Sequence, residues 1–255
     1  MNRIIKIILS DILKNKIVLV YTLILAILSW SSFTLEDNSS KGLLTILNVI
    51  LFTVPLVSIL FATIYLYNSS EFIELLLSQP IKRVKIWMSL FLGLSSSMAV
   101  AFFIGAGIPL LIYAPNAIGM MMIIIGCIIS IVFVALAFLS SILTRDKAKG
   151  IGIAIMTWLF FALLFDGMVL FLLFQLSEYP IEKAMVGISA FNPIDLARIQ
   201  ILLQLDVSAM MGYTGAIFKD FFGTTIGLII SFMLLCLWAI VPFFVSLFKF
   251  KNKDL

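Results

Sequence analysis

Six long apolar runs dominate the pattern of this chain: Ile17 to Leu35, Gly42 to Tyr67, Trp87 to Tyr113, Ile118 to Leu143, Ile151 to Leu176 and Thr224 to Phe248. Crossing a hydrocarbon core of ~30 Å takes about 20 helical residues, and each run is close to or above that length. The runs are apolar on every side, without the alternation over about ten residues that marks a barrel strand. Only helices or closed barrels satisfy their backbone in lipid. The pattern therefore predicts an all-α integral membrane protein with six transmembrane helices in one membrane domain, residues 1–255. Basic residues precede the first run, as they would in a signal peptide. However, Trp30-Ser31-Ser32-Phe33 offers no small-x-small cleavage site and the run is longer than a signal core, so it reads as a span.

The segments between the runs carry their own patterns. In residues 1–16, Ile4, Ile8 and Ile12 with Ile5, Leu9 and Leu13 make an apolar face opposite Lys6, Ser10 and Lys14, the spacing of a helix lying in the membrane interface. Two connections are long. In the first, Asn68 to Ile86, the stretch Ser70-Glu71-Phe72-Ile73-Glu74-Leu75-Leu76-Leu77 reads as a short amphipathic helix. Ser70 is placed to cap it, Glu71 and Glu74 suit its first turn, and Pro80 stops it. Glu71, Glu74 and Ser78 fall on one face and Phe72, Leu75, Leu76 and their neighbours on the other, and the basic elbow Ile81-Lys82-Arg83-Val84-Lys85 follows. In the second, about 177–223, Asn192-Pro193-Ile194-Asp195 is a helix start: Asn caps, Pro takes the first helical position and Asp follows. That helix runs through Arg198 to Leu205, and a second helical piece is expected around Val207 to Phe222, broken at Gly212 and Gly215. This small helical insertion reads equally as a lid on the outer ends of the spans or as a dock for a partner.

Charge sets the orientation. With both termini inside, the inner segments carry Arg3, Lys6, Lys14, Lys16, Lys82, Arg83, Lys85, Arg145, Lys147, Lys149, Lys249, Lys251 and Lys253, and only Lys41, Lys183, Arg198 and Lys219 lie outside. That places 13 of the 17 basic residues inside, as the positive-inside rule asks. The expected location is the cytoplasmic (inner) membrane, multi-pass, with cytoplasmic N- and C-termini. The net charge of +4 thus reflects topology and calls for no nucleic acid, while 63% hydrophobic residues and a mean hydropathy of +1.21 call for membrane lipid. The chain has no His, which removes imidazole base catalysis, His metal ligation and every Ser-His or Cys-His nucleophile. Cys127 and Cys236 fall inside spans, where they pack as small polarisable side chains.

Asp166 is the one ionisable residue well inside a run. A carboxylate at that depth costs at least about 2.5 kcal/mol on insertion scales, so it needs a partner, a polar cavity or a proton. A site on a moving interface or substrate route and a bond locking two helices are both open readings. One acid alone does not hold Mg²⁺. Gly93, Ser97, Ala101 and Gly105 recur every four residues, a helix-packing seam within one subunit or between two. Met120-Met121-Met122 and Met210-Met211 offer thioethers, but without His or an exposed Cys they read as apolar filler, and no metal site is expected. No G-x-x-x-x-G-K-[ST] phosphate cradle occurs, so any ATP must bind another subunit.

Three stretches carry a resemblance over nearly the whole chain: Leu75-Leu76-Leu77-Ser78-Gln79-Pro80 with its basic residues, Leu164-Phe165-Asp166, and Phe191-Asn192-Pro193-Ile194-Asp195-Leu196-Ala197-Arg198. Together with the amphipathic N-terminal helix and six spans, they resemble the type-2 ABC permeases and, within them, the NosY subfamily encoded with nitrous-oxide reductase. One departure is that Tyr67-Asn68-Ser69-Ser70 stands where such permeases have a denser acidic stretch with a Gly.

The resemblance implies a non-enzymatic permease domain that works as a homodimer. It would couple a cytoplasmic NosF-like ATPase, which holds the ATP and Mg, to an extracytoplasmic NosD-like protein during assembly of the copper site of nitrous-oxide reductase. The implied ATPase-coupling residues are Glu71, Phe72, Glu74, Leu75 and Pro80, and the implied partner-docking residues are Asn192, Pro193, Asp195 and Arg198. The alternative within the same class is an exporter of a lipid or drug-like molecule.

Overall fold

The computed structural model describes residues 2–36, 39–175, 187–205 and 224–252, and every regular element among them is helical. The short α1 (Asn2–Leu13) precedes the first span, α2 (Lys16–Leu35). The second span is α3 (Ser39–Asn68), followed by the two-turn α4 (Ser70–Leu77). The third span is α5 (Arg83–Phe102), a π turn π1 (Phe103–Gly107) and α6 (Ile108–Tyr113). The fourth is α7 (Ala117–Leu143). The fifth is α8 (Lys147–Leu159), a second π turn π2 (Phe160–Leu164) and α9 (Phe165–Gln175). After α10 (Pro193–Gln204) comes the sixth span, α11 (Thr225–Asn252).

Among the described residues six helices are long and apolar enough to cross a membrane, as the apolar runs predict. The third begins at Arg83 rather than Trp87, because Arg83 and Lys85 occupy its first turn, where long basic side chains reach out to water. The helical piece expected around 207–222 lies outside the described residues. Six crossings bring both termini to one face, which also carries α4 and the 144–146 turn.

The fourth span is the axis of the bundle. Residues Val132 to Ala137 of α7 lie in an unbroken buried stretch, and α3, α5 and α11 pack around it. A helix that is apolar all round belongs where it is buried all round. Gly126 of α7 faces the buried ring of Phe102 so closely that a Cβ there would collide with it. The first, fifth and sixth spans expose apolar side chains instead, among them Leu23, Ile27, Met156, Phe171, Ile226 and Met233. In water such faces would be sticky patches, whereas a bilayer solvates them.

The stripe of small residues in the third span is a seam within the chain. Ile8 of α1 packs into the notch at Gly93, and Leu25 with the Thr22 carbonyl of α2 closes on Gly105, which lies in π1. α1 thus buries Ile8 and Ile12, keeps Lys6, Ser10 and Lys14 exposed as an interfacial helix should, and accepts a hydrogen bond at Asp11 Oδ2 from Tyr65 Oη at 3.3 Å. The two ends of the bundle are stitched by aromatic residues. Near the termini, Trp87 stacks on Phe250 at 4.2 Å and donates to Ser246 Oγ at 3.1 Å. At the opposite end, Tyr113 stacks on Phe33 at 4.9 Å and meets the edge of Trp30 at 5.8 Å.

The seam makes a testable claim. A Cβ at Gly93 would lie 2.6 Å from Ile8 Cγ2, so Gly93→Ala is expected to cost about 1–3 kcal/mol by overpacking. Combined with Ile8→Ala it is expected to cost less than the sum of the two single changes. Thermal unfolding of the four proteins in one detergent measures that coupling, and strict additivity contradicts the seam.

Candidate functional site

Two places concentrate polar groups where the fold spends them unusually. The first is α4, on the face that carries the termini. Ile73 and Leu76 are buried against the bundle, while Glu71, Phe72, Glu74 and Leu75 are exposed, Leu75 to 64%. The division differs in part from that expected from spacing: Phe72 and Leu75 join the acids on the outer side, and Ile73 with Leu76 forms the inner one. The outer side of this two-turn helix thus sets exposed apolar residues beside carboxylates.

The start of α4 also differs from expectation. Ser70 is its first helical residue, and the preceding Ser69 makes no side-chain cap. The reason lies in the backbone. Ser69 N–H donates to Tyr65 O at 2.9 Å and Ile73 N–H to Ser69 O at 2.9 Å, so the hydrogen-bond ladder carries over from α3. The orphan amides that a cap normally satisfies are fewer here. The helix ends at Leu77, with Pro80 beyond its C-cap Ser78, where a residue without N–H is at no disadvantage.

Beneath α4 lies a cavity of ≈ 350 Å³ lined by Tyr67, Ile73, Glu74, Trp87, Thr144 and Arg145, among others. Its rim is formed by the root of α4. Tyr67 Oη lies 2.6 Å from Thr144 Oγ1 and donates toward the Thr144 carbonyl at 3.2 Å, at the C-cap of the fourth span where the turn into the fifth begins. Asn68 Oδ1 accepts from Lys147 Nζ at 2.7 Å. Asp146 caps the fifth span by accepting from Ala148 and Lys149 N–H.

The second place lies at mid-depth. α10 does not rest on the outer ends of the spans but enters the bundle, burying Ile194, Leu196, Ala197 and Ile201 among α3, α7 and α11. Its depth follows from two hydrogen bonds. Asn192 Nδ2 donates to Phe161 O at 2.9 Å, and Trp238 Nε1 donates to Ala190 O at 3.0 Å. Phe161 and Trp238 are central residues of the fifth and sixth spans. Asn192 is fully buried and serves both sides: its Oδ1 caps α10 at Ile194 N–H, 2.9 Å away, while its amide meets a carbonyl of the π2 turn. A polar side chain at that depth is tolerated because both ends are bonded. Asn192 and Pro193 are therefore committed inside the chain, and Phe191 beside them is exposed.

One turn further along α10, Arg198 Nη1 binds Asp166 Oδ2 at 2.8 Å and Asp195 Oδ1 at 3.2 Å. Both partners of the first pair are about one-third exposed, at 31% and 33%. One guanidinium between two carboxylates leaves an excess negative charge. The trio answers what Asp166 needs inside a span. Arg198 counts as an outer charge in the orientation of the chain, and its place beside Asp166 depends on how deeply α10 is inserted. The available signal was complementarity: a lone acid in a span and a lone base in an apolar twelve-residue helix call for one another. Gln200, also buried in α10, finds no partner for either amide atom among the described residues.

Among the described residues no three His, Cys, Asp or Glu side chains group as a metal site. The trio can hold two helices together and change its grip with a proton or a movement, but it presents no nucleophile and no phosphate cradle. Fold and sites together define a multi-pass helical membrane protein with a short acidic helix offered on the side of the termini. The sequence profile described as ABC-2 family transporter protein matches residues 45–255, and the chain belongs to that family.

Two relatives carry the name "Probable ABC transporter permease protein NosY". That of Pseudomonas aeruginosa is 28% identical over 232 residues, covering 80% of this chain and 82% of its own. That of Stutzerimonas stutzeri is 28% identical over 214 residues, covering 75% and 77%.

The trio can be tested by unfolding. Arg198→Leu leaves two carboxylates facing each other and is expected to cost about 1–3 kcal/mol, less than the ~3–5 of a fully buried pair because the groups are part exposed. Arg198→Leu with Asp166→Leu is expected to recover part of that loss. Tryptophan fluorescence during heating in detergent reads both, and an equal or larger loss in the double variant rejects the pairing.

Proposed function

We infer that this chain is the permease subunit of an ABC complex in which a separate cytoplasmic ATPase docks on α4. The observation that carries the reading is the split of α4: Ile73 and Leu76 hold it to the bundle while Glu71, Phe72, Glu74 and Leu75 stand free. Membership of the ABC-2 family supports an ATPase partner. The excess of basic residues on the inner segments supports cytoplasmic termini in the inner membrane. Six spans are half the complement of a permease pair, which supports a homodimer. ATP and Mg belong to the partner ATPase.

The likeness to proteins named NosY supports a narrower assignment. In it the chain passes the stroke of a NosF-like ATPase to an extracytoplasmic NosD-like protein during assembly of the copper site of nitrous-oxide reductase. The partner-docking role of Asp195 and Arg198 is then indirect. They hold α10, and the exposed Phe191 meets the partner.

Co-purification of the chain with its candidate ATPase, with ATP turnover as the readout, tests the docking. Glu71→Arg with Glu74→Arg is expected to abolish complex formation and chain-dependent turnover, and unchanged values refute the assignment. The narrower claim is read from the copper-site spectrum of nitrous-oxide reductase in cells carrying the same variant. An intact spectrum with docking lost would leave the exporter of a lipid or drug-like molecule as the function.

A further inference from the structure

The reading of α4 as a dock leaves open how its motion leaves it, and the root of the helix shows a route. Tyr67 and Asn68 are the last residues of the second span, separated from α4 only by Ser69. Tyr67 reaches across to the turn between the fourth and fifth spans, where its hydroxyl meets Thr144 Oγ1 at 2.6 Å, the Thr144 carbonyl at 3.2 Å and the Ser141 carbonyl at 3.4 Å. Its ring lies flush on Gly150, in the first turns of α8, with no room there for a Cβ. The second tie, Lys147 Nζ to Asn68 Oδ1, runs between the same two segments. Under α4 itself the packing is open, with a cavity of ≈ 350 Å³ that gives the helix room to tilt.

The receiving span has few buried side chains. α8 packs mainly on α3, its outward side is exposed at Met156, and π2, with Phe160 exposed, interrupts the span halfway. Beyond the π turn it is tied to α10 by Asp166–Arg198 and, at the turn itself, by Phe161–Asn192. Bonds therefore follow one another from the root of α4, through Tyr67 and the fifth span, to the inserted helix.

We propose that Tyr67 is the positioning residue that hands the motion of α4 to the fifth span, through its hydroxyl on Thr144 and its ring on Gly150. The proposal rests on the ATPase docking at α4. A rigid link made by two bonds and one flush contact transmits displacement because a packed contact cannot be compressed. The neighbouring cavity leaves part of the space between α4 and the bundle unfilled. Coupling between distant sites travels through such contiguous packed and bonded groups, and its proof is a measured response rather than proximity.

The experiment uses the complete complex in lipid nanodiscs with spin labels. In a Cys127→Ala, Cys236→Ala background, one label pair joins Gln79→Cys on the α4 side to Met120→Cys on the central fourth span. A second pair joins Met156→Cys on the fifth span to Met120→Cys. Distances are measured by pulsed electron resonance without nucleotide and with ATP trapped by vanadate.

In the otherwise unaltered chain both distances are expected to change on trapping. In Tyr67→Phe the complex is expected to form, and the α4 distance to change, as before. The change at Met156 is expected to fall to less than half. Thr144→Val, which removes the shortest of the hydroxyl's contacts and keeps the two carbonyls, is to lower the Met156 change in the same direction should Tyr67→Phe be poorly folded. A Met156 change of full size in both variants overturns the joint and leaves docking intact, as does a fifth span that stays still in the unaltered chain while α4 moves. An α4 distance that ignores nucleotide in the unaltered chain overturns the docking reading, and the joint falls with it.

Discussion

Polar groups inside a bilayer have no water to fall back on, and the architecture around α10 follows from that constraint. A helix entering at mid-depth brings its own unsatisfied amides, and the π turn it meets offers carbonyls that the ordinary ladder has released. Asn192 answers both at once, bonding Ile194 N–H on its own helix and Phe161 O on the fifth span. Trp238 ties the preceding Ala190 carbonyl to the sixth span in the same way. With these bonds made, Arg198 arrives at the level of Asp166, and a charge that would otherwise be prohibitive becomes half of an ion pair. The fifth span, with few buried side chains of its own, is held by what its polar residues can reach.

The same economy appears at the opposite face, where side chains of two spans fasten the ends of their neighbours. Arg83 Nη1 reaches the Lys251 carbonyl at the end of α11, Trp87 holds Ser246, and Tyr67 holds the end of α7. The first and the last satisfy carbonyls at a helix C-terminus that lack intrahelical partners. Between its ends the central fourth span is fixed by packing on three neighbours.

The spans were legible because about 20 apolar residues in a row admit few other readings. α4 was legible from its acids and the proline beyond it, though the register of its inner face was not, because Ile73, Leu75 and Leu76 are equally apolar and only the tilt of the helix decides among them. Ser70 as a cap was a reasonable local inference that the continued ladder from α3 made unnecessary. The trio was not legible. Asp166 and Arg198 are far apart in sequence, and their meeting depends on the depth of α10, a tertiary property. The π turns were hidden for another reason: a hydrogen bond shifted by one residue leaves no trace in composition. The seam at Gly93 and Gly105 was readable as a seam, and its occupants Ile8 and Leu25 emerged only in three dimensions.

The π2 turn has a geometric consequence for everything beyond it. An α-helix advances about 100° per residue, so one residue accommodated in a wider turn resets the rotational phase of the outer half of the fifth span. Asp166 sits just past that reset, in the first turn of α9. In an uninterrupted helix its carboxylate would point about 100° away, out of the direction of Arg198. The ion pair is thus a matter of phase as much as of depth. The fifth span behaves as two short helices with an angular offset between them, and the offset decides which of its faces is allowed to carry a charge.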